Sequence, residues 1–292
     1  RGWFLRLLGV IYLIAFLSLW VQVDGLIGAR GVAPLPEYLA AAKAQLGSRA
    51  ALVLPTLCWF AASNAALHLL CGAGAFLSVL LIVGLAPVLC LVLLFVAYLS
   101  LTIAGQDFLS FQWDILLLET GFLAIFLAPW RWWLRPNDSA PLSRVALFLL
   151  HLLLCKLMLM SGVLKLTSGD ASWWNLSALD YHYWTQPLPT VVGWWAAQAP
   201  EWFQHFSTAF VLVVEICGPL LLWFPRHLRL LGAGLLVFLQ VVIGLTGNYA
   251  FFTLLPIALF LPLIDDSALQ GRSLTRRVAP GPRGAGAAPG AR

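Results

Sequence analysis

Residues 161–190, SGVLKLTSGDASWWNLSALDYHYWTQPLPT, form the longest polar and aromatic-rich stretch in a chain that otherwise reads as apolar helix. The stretch contains Lys165, Asp170, Asp180 and His182 among clustered Trp and Tyr residues. A lipid bilayer is crossed by segments that satisfy their own backbone hydrogen bonds, and long apolar segments do so as helices. We therefore interpret the flanking helices as a scaffold that holds this stretch on one side of a membrane.

Composition supports a membrane scaffold throughout the chain. Of the 292 residues, 61% are hydrophobic and 10% are charged, whereas soluble domains carry about 25% charged residues. The mean hydropathy is +0.90, which predicts an all-α, polytopic helical membrane protein surrounded by membrane lipids. The net charge of +5 lies mainly in loops and the C-terminal segment, a pattern typical of membrane topology and not of a nucleic-acid partner.

Hydropathy and turn residues predict about eight transmembrane helices joined by loops, several of them aromatic-rich. Residues 1–266 are the predicted transmembrane helical domain, and residues 267–292 a disordered Gly/Pro/Ala/Arg-rich tail. We predict a short amphipathic helix at residues 36–46, an interfacial or re-entrant segment at 52–63 and a short interfacial helix at 194–206. The predicted spans are residues 5–23, 64–85, 87–104, 111–128, 145–164, 207–224, 230–245 and 251–264.

The distribution of basic residues predicts the orientation of these spans. With the N-terminus inside, twelve Arg residues fall on the cytoplasmic side and four Lys or Arg on the other, which agrees with the positive-inside rule. Residues 105–114, 161–190 and 246–250 then share the non-cytoplasmic face. We expect these three loops to form the working surface.

Four ionisable residues in or near the predicted spans are candidates for chemistry: Lys156, Lys165, Glu119 and Glu215. A charge at bilayer depth costs at least about 2.5 kcal/mol and usually has a partner. We expect Lys156 to pair with Glu215, with Glu119 nearby. Such a pair either fixes helix register or forms part of a polar cavity in which a buried lysine acts as a base. The five Cys residues contain no CxxC spacing, so we predict no metal site, and we predict no cofactor.

Several long blocks of this sequence closely resemble the lipase maturation factor family. The resemblance extends from Gln106 to Asp266 and is weaker in the first hundred residues. The blocks are FLSFQWDILLLETGFLAIFLAP (108–129), SGVLKLTSGDASWWNLSALDYHYWTQPLP (161–189), FSTAFVLVVEICGPLLL (206–222) and LTGNYAFFTLLPIALFLPLIDD (245–266).

The resemblance implies a membrane-embedded factor that assists the folding or assembly of secreted lipases or other exported proteins. It further implies a location in the endoplasmic reticulum membrane if the source is eukaryotic, or in the cytoplasmic membrane if it is bacterial. Animal members continue past the Asp265–Asp266 pair into a globular domain, whereas here a low-complexity tail follows. The residues expected to contact a client are Trp113, Asp114, Trp173, Trp174, Asp180, Tyr181, His182, Tyr183, Gln186, Pro187 and Asn248.

Two other classes of function stay open at this point. A fainter likeness in layout to the transmembrane part of the vitamin K-dependent carboxylase suggests an intramembrane enzyme that acts on a lipid, quinone or peptide. In that case Lys156 or Lys165 would be the base. A transporter would be expected to show inverted repeats, and no repeat is visible in the sequence.

The predicted topology is testable by labelling. Single cysteines placed near positions 110, 180 and 248 in a cysteine-free background should all react with a membrane-impermeant maleimide added from the non-cytoplasmic side. A cysteine near position 227 is the matched control and should react only after permeabilisation. Labelling of only some of the first three positions would contradict a shared working surface.

Overall fold

The computed structural model describes residues 1–134 and 142–263, which are helical and contain no β-strand apart from an isolated bridge between Leu85 and Trp133. This confirms the predicted all-α, polytopic membrane architecture. The helices are α1 (Gly2–Trp20), α2 (Val23–Ile27), α3 (Leu35–Leu46), α4 (Ala50–Val53), α5 (Asn64–Val83), α6 (Pro87–Ala104), α7 (Gln112–Leu127), α8 (Arg144–Thr167), α9 (Ala171–Trp174), α10 (Ala178–Thr185), α11 (Val191–Ala197), α12 (Glu201–Leu221), α13 (Arg226–Thr246) and α14 (Leu254–Phe260).

Six of these helices are long and apolar enough to cross a membrane: α1, α5, α6, α8, α12 and α13. They correspond to six of the eight predicted spans. The predicted fourth span is α7, whose 16 residues cover about 24 Å of a hydrocarbon core about 30 Å thick. The predicted eighth span is shorter than expected, since α14 has seven residues and a 3₁₀ turn, Leu261–Leu263, follows it.

Two other boundaries differ from the prediction. The predicted interfacial helix at residues 194–206 is divided, because α11 ends at Ala197 and Pro200 precedes the first turn of α12. The fifth predicted span extends to Thr167, so Lys165 belongs to the last turn of α8 and not to a loop. The predicted disordered tail at 267–292 lies outside the described residues.

Local sequence signals explain where the long helices begin and end. The Ser63 hydroxyl accepts a hydrogen bond from the Ala66 amide at 3.2 Å and caps the start of α5. Gly84 ends the same helix with φ +93°, a left-handed conformation that favours glycine. Pro87 then occupies the first turn of α6. Backbone amides in the first turn have no acceptor within the helix, so the missing N–H of proline costs no hydrogen bond there.

Small residues bring the first helices of the bundle close together. Gly74 on α5 faces the ring of Phe16 on α1, and Gly121 on α7 faces the hydroxyl of Tyr12, so that a Cβ at either glycine would collide with the ring or hydroxyl. Helices in a membrane associate by close packing and interhelical contacts, because lipid tails are as apolar as the side chains. The glycines therefore set the spacing of α1, α5 and α7.

The bundle has two parts that are joined side by side. Helices α1, α5, α6 and α7 pack in one group, and α8, α12 and α13 pack in the other. Contacts between α7 and α8 join the groups, and α14 lies against α1, α7, α8 and α13. Five of the seven α14 residues are buried. Its apolar composition thus reflects burial inside protein, which explains why sequence alone reads it as a span.

Gly121→Ala should lower the thermal unfolding midpoint in detergent. The added methyl group collides with the Tyr12 hydroxyl, and overpacking of this kind costs roughly 1–3 kcal/mol. Gly234→Ala is the matched control, because a Cβ at that α13 position meets no atom within 4 Å. The control should keep or raise the midpoint, since alanine favours helix over glycine by about 0.5–1 kcal/mol. Equal midpoints for both variants would contradict the assigned packing.

Candidate functional site

A cavity of about 860 Å³ lies between α8, α12 and α13, beneath the short helices α9, α10 and α11. We call these three short helices, with their connecting loops (residues 168–200), the cap. Polar groups form part of the wall: Lys165, Glu215, Gln240, His182, Tyr183 and Tyr249. Phenylalanines form much of the rest: Phe203, Phe206, Phe210, Phe238 and Phe252. The cavity thus combines a large apolar wall with a small number of polar groups, as small-molecule sites do.

Side chains of the cap hydrogen-bond to the ends of the long helices. The Nε2 of Gln186 donates to the Thr246 carbonyl at 3.1 Å, and the Thr190 hydroxyl donates to the Leu245 carbonyl at 2.7 Å. The indole of Trp174 donates to the Leu166 carbonyl near the end of α8 at 2.9 Å. The last carbonyls of a helix have no partner within the helix, so these bonds both satisfy them and fix the cap over the cavity.

The cavity wall contains an ion pair between α8 and α12. The Lys165 ammonium lies 2.7 and 2.6 Å from the two carboxylate oxygens of Glu215, and 5.4 Å from the centre of the Trp173 ring. Glu215 is only 3% exposed. Both carboxylate oxygens therefore bind the same ammonium, and the Trp173 ring lies beside it.

The predicted pairing of Lys156 with Glu215 is wrong. Lys156 instead pairs with Glu119 at 2.9 Å, on the flank of the bundle, where the two side chains are 59% and 39% exposed. Lys165 lies nine positions after Lys156, which corresponds to about 13.5 Å along α8. Gly162, one turn before Lys165, lets α12 approach α8 closely at this height, because a Cβ there would be 3.1 Å from the Glu215 Cβ.

The predicted loops meet at the cavity. The Tyr249 hydroxyl, in the 246–250 loop, lies 2.9 Å from Nε2 of His182 in α10, and their rings are stacked. Burial lowers the pKa of His182, and the positive charge of Lys165 lowers it further. Trp113, within residues 105–114, has its ring centre 6.2 Å from that of Phe252. All three loops therefore contribute to one end of the molecule.

The predicted client-contact residues divide into several environments. Trp173, His182 and Tyr183 line the cavity. Trp174 and Tyr181 are exposed on the outer side of the cap, at 67% and 64%.

The remaining predicted contacts are distributed as follows. Pro187 and Asn248 are exposed, whereas Gln186 bonds to α13 and Trp113 is partly covered by the Phe111 ring. The Oδ2 of Asp180 lies 3.6 Å from the Nε2 of His205 on α12.

Asp114 is fully buried and accepts a hydrogen bond from the Tyr98 hydroxyl at 2.6 Å, so a client cannot touch it in this conformation.

Sequence reasoning missed the apolar wall of the cavity. Phe203, Phe206 and Phe210 are spaced three and four residues apart on α12, which places them on one helix face. They form part of the wall together with Phe238 of α13. The spacing is visible in the sequence, but an aromatic face of this kind is equally typical of a helix that faces lipid. Among the described residues, no group of three or more His, Cys, Asp or Glu could hold a metal ion.

The fold and this site define a class: polytopic helical membrane proteins whose spans support a capped, partly polar cavity. Comparison with known proteins identifies the group within that class. The profile of the lipase maturation factor transmembrane domain matches residues 1–271, and the chain belongs to the lipase maturation factor family.

Curated relatives are similar over almost all of this chain. Lipase maturation factor 2 from chicken (Gallus gallus) is 44% identical over 94% of this chain, and the human protein of that name is 40% identical over 92%. Lipase maturation factor 1 from mouse is 34% identical over 97% of this chain. The chain spans 40% of the length of the first two relatives and 53% of the third. No solved structure matches the chain.

Glu215→Gln should destabilise the protein markedly, because it leaves the Lys165 ammonium without its counter-charge in a largely buried site. Breaking such a pair costs on the order of 3 kcal/mol, whereas replacing both partners with uncharged residues is often nearly neutral. The double variant Lys165→Met/Glu215→Gln should therefore recover most of the loss in thermal unfolding midpoint in detergent. A double variant no more stable than the single one would contradict the role of the pair.

Proposed function

We propose that this chain is a membrane-embedded maturation factor that assists the folding or assembly of secreted lipases or other exported proteins. The names of its relatives support this role. By the same reasoning it acts in the endoplasmic reticulum membrane of a eukaryotic cell, or in the cytoplasmic membrane of a bacterial one. Because the chain spans less than half of the chicken and human relatives, the role proposed for it is the part that the membrane domain performs.

The observation that carries the proposal is the aromatic outer surface of the cap. Trp174, Tyr181, Trp184, Trp194 and Trp195 are between 52% and 67% exposed on three consecutive short helices. Trp and Tyr are the residues most enriched among those that dominate protein–protein binding energy. An exported chain that is not yet folded exposes apolar side chains, and this surface offers them rigid aromatic partners.

The position of the cap fits a client that is exported. The cap lies at the end of the bundle where residues 105–114, 161–190 and 246–250 meet, and the charge distribution predicts that this end is on the non-cytoplasmic side. The aromatic rings are held by helices whose ends are bonded to α8 and α13. Ordering the cap in advance reduces the entropy lost when a client binds.

The test is co-expression of this chain with a secreted homodimeric lipase in cells that lack their own maturation factor. The wild-type chain should raise the yield of active, dimeric lipase in the medium. The triple variant Tyr181→Ala/Trp184→Ala/Trp195→Ala should lose most of that gain, because each side chain is about two-thirds exposed and the bonds that hold the cap on α8 and α13 come from Trp174, Gln186 and Thr190. Lipase activity and sedimentation of the secreted enzyme measure the result.

Trp130→Ala/Trp132→Ala is the matched control. These tryptophans are 88% and 77% exposed and lie in the loop between α7 and α8, which the predicted topology places on the cytoplasmic side. The control should match the wild type in lipase yield. If it loses as much yield as the cap variant, the aromatic residues serve the membrane interface and not a client. If the wild-type chain leaves lipase yield unchanged, the proposed function fails.

A further inference from the structure

The apolar part of the cavity continues to the flank of the bundle. Leu164, Phe206 and Phe238 line the cavity, and they are 55%, 60% and 55% exposed, so the cavity is open at these side chains. They belong to α8, α12 and α13, which are long and apolar enough to cross a membrane. Exposed apolar side chains on such helices face lipid. The cavity is therefore accessible from the hydrocarbon phase, and an apolar molecule can enter it from there.

The polar part of the cavity carries little net charge. Lys165 and Glu215 neutralise each other at 2.6 Å, and the other titratable side chains in the lining are His182, Tyr183 and Tyr249. Burial and the Lys165 charge keep His182 toward its neutral form by lowering its pKa. A charged head, of either sign, would lose its hydration here, and the Lys165 and Glu215 charges that could compensate it already bind each other. The lining thus favours an uncharged head.

One buried side chain in the lining, Gln240, has an unsatisfied hydrogen-bond acceptor. Gln240 is 3% exposed, and its Nε2 lies 3.6 Å from the Met158 sulfur. Its Oε1 has no hydrogen-bond partner among the residues that the structure describes. A buried polar atom without a partner costs free energy, and the Gln240 side chain forms part of the cavity lining. A rotation of the amide would turn Oε1 toward the cavity, where a hydroxyl group on a ligand would donate to it.

We propose that the cavity binds one neutral, single-chain lipid with a hydroxylated head, of the monoacylglycerol type. The acyl chain lies against the phenylalanine wall of α12 and α13, and the head donates a hydrogen bond to Gln240 near the Lys165–Glu215 pair. A volume of about 860 Å³ falls within the range of about 300–1,000 Å³ that holds one small molecule. This binding site is independent of the proposed action on lipases.

The experiment uses the full chain in detergent with a monoacylglycerol that carries a diazirine in its acyl chain. Photolysis followed by peptide mass spectrometry should place the label on cavity-lining residues of α12 and α13. Unlabelled monooleoylglycerol should compete with the probe about tenfold more effectively than oleate at pH 8, because the oleate carboxylate would lose its hydration while Glu215 already occupies the Lys165 ammonium. Equal or better competition by oleate would overturn the uncharged-head assignment.

Two variants test the location of the lipid. Ser207→Phe places a ring in the cavity and should reduce labelling about tenfold, whereas Val241→Phe adds the same ring at an exposed position of α13 outside the lining and should not. Gln240→Leu removes the acceptor and should reduce labelling several-fold, with Gln198→Leu, at an exposed position, as its control.

The competition between monooleoylglycerol and oleate requires no variant, so it tests the uncharged-head assignment even if Gln240→Leu does not fold. Unchanged labelling in both Ser207→Phe and Gln240→Leu, with folding confirmed by thermal unfolding, would overturn the site. Label spread evenly over the lipid-facing residues would overturn it as well. Either result leaves the lipase co-expression experiment unaffected, so the two proposals fail separately.

Discussion

The Lys165–Glu215 ion pair is the contact on which the second half of the bundle depends. It joins the last turn of α8 to the buried side of α12, and α12 in turn packs on α13. Two charges removed from water are stable only when their geometry is good and their remaining hydrogen-bonding capacity is used. Here both carboxylate oxygens bind the ammonium, and the Trp173 ring lies beside it. The pair thereby fixes the relative height of α8 and α12 and, with it, the position of the cavity.

The cap follows from a second requirement, the unmet hydrogen bonds at helix ends. Helices α8 and α13 end below the short helices, and Trp174, Gln186 and Thr190 donate to their last carbonyls. Gln204 makes the equivalent bond from α12 to the Ala196 carbonyl at 2.6 Å. Short helices of four to eight residues are unstable alone. Their order here comes from these bonds and from packing against α12 and α13.

The sequence was sufficient to predict the membrane class, six long spans and the meeting of three loops, because hydropathy and charge asymmetry act on each segment separately. The sequence was insufficient to predict side-chain contacts that depend on how two helices are aligned along their axes. The partner of Glu215 depends on the relative height of α8 and α12, which the hydropathy and charge of each segment do not report. Asp114 was expected at the surface, but the first turn of α7 directs it toward Tyr98. Helix α14 was predicted to be a span because a helix buried in protein and a helix that faces lipid are both rich in apolar residues.

The cavity opening between Leu164, Phe206 and Phe238 determines how any occupant would arrive. A molecule that approaches through the flank moves within the plane of the leaflet, in two dimensions. Its chemical potential is set by its mole fraction among the surrounding lipids, whereas its concentration in the aqueous phase has almost no influence. The occupancy of the cavity would therefore report on the composition of the membrane in which the protein resides.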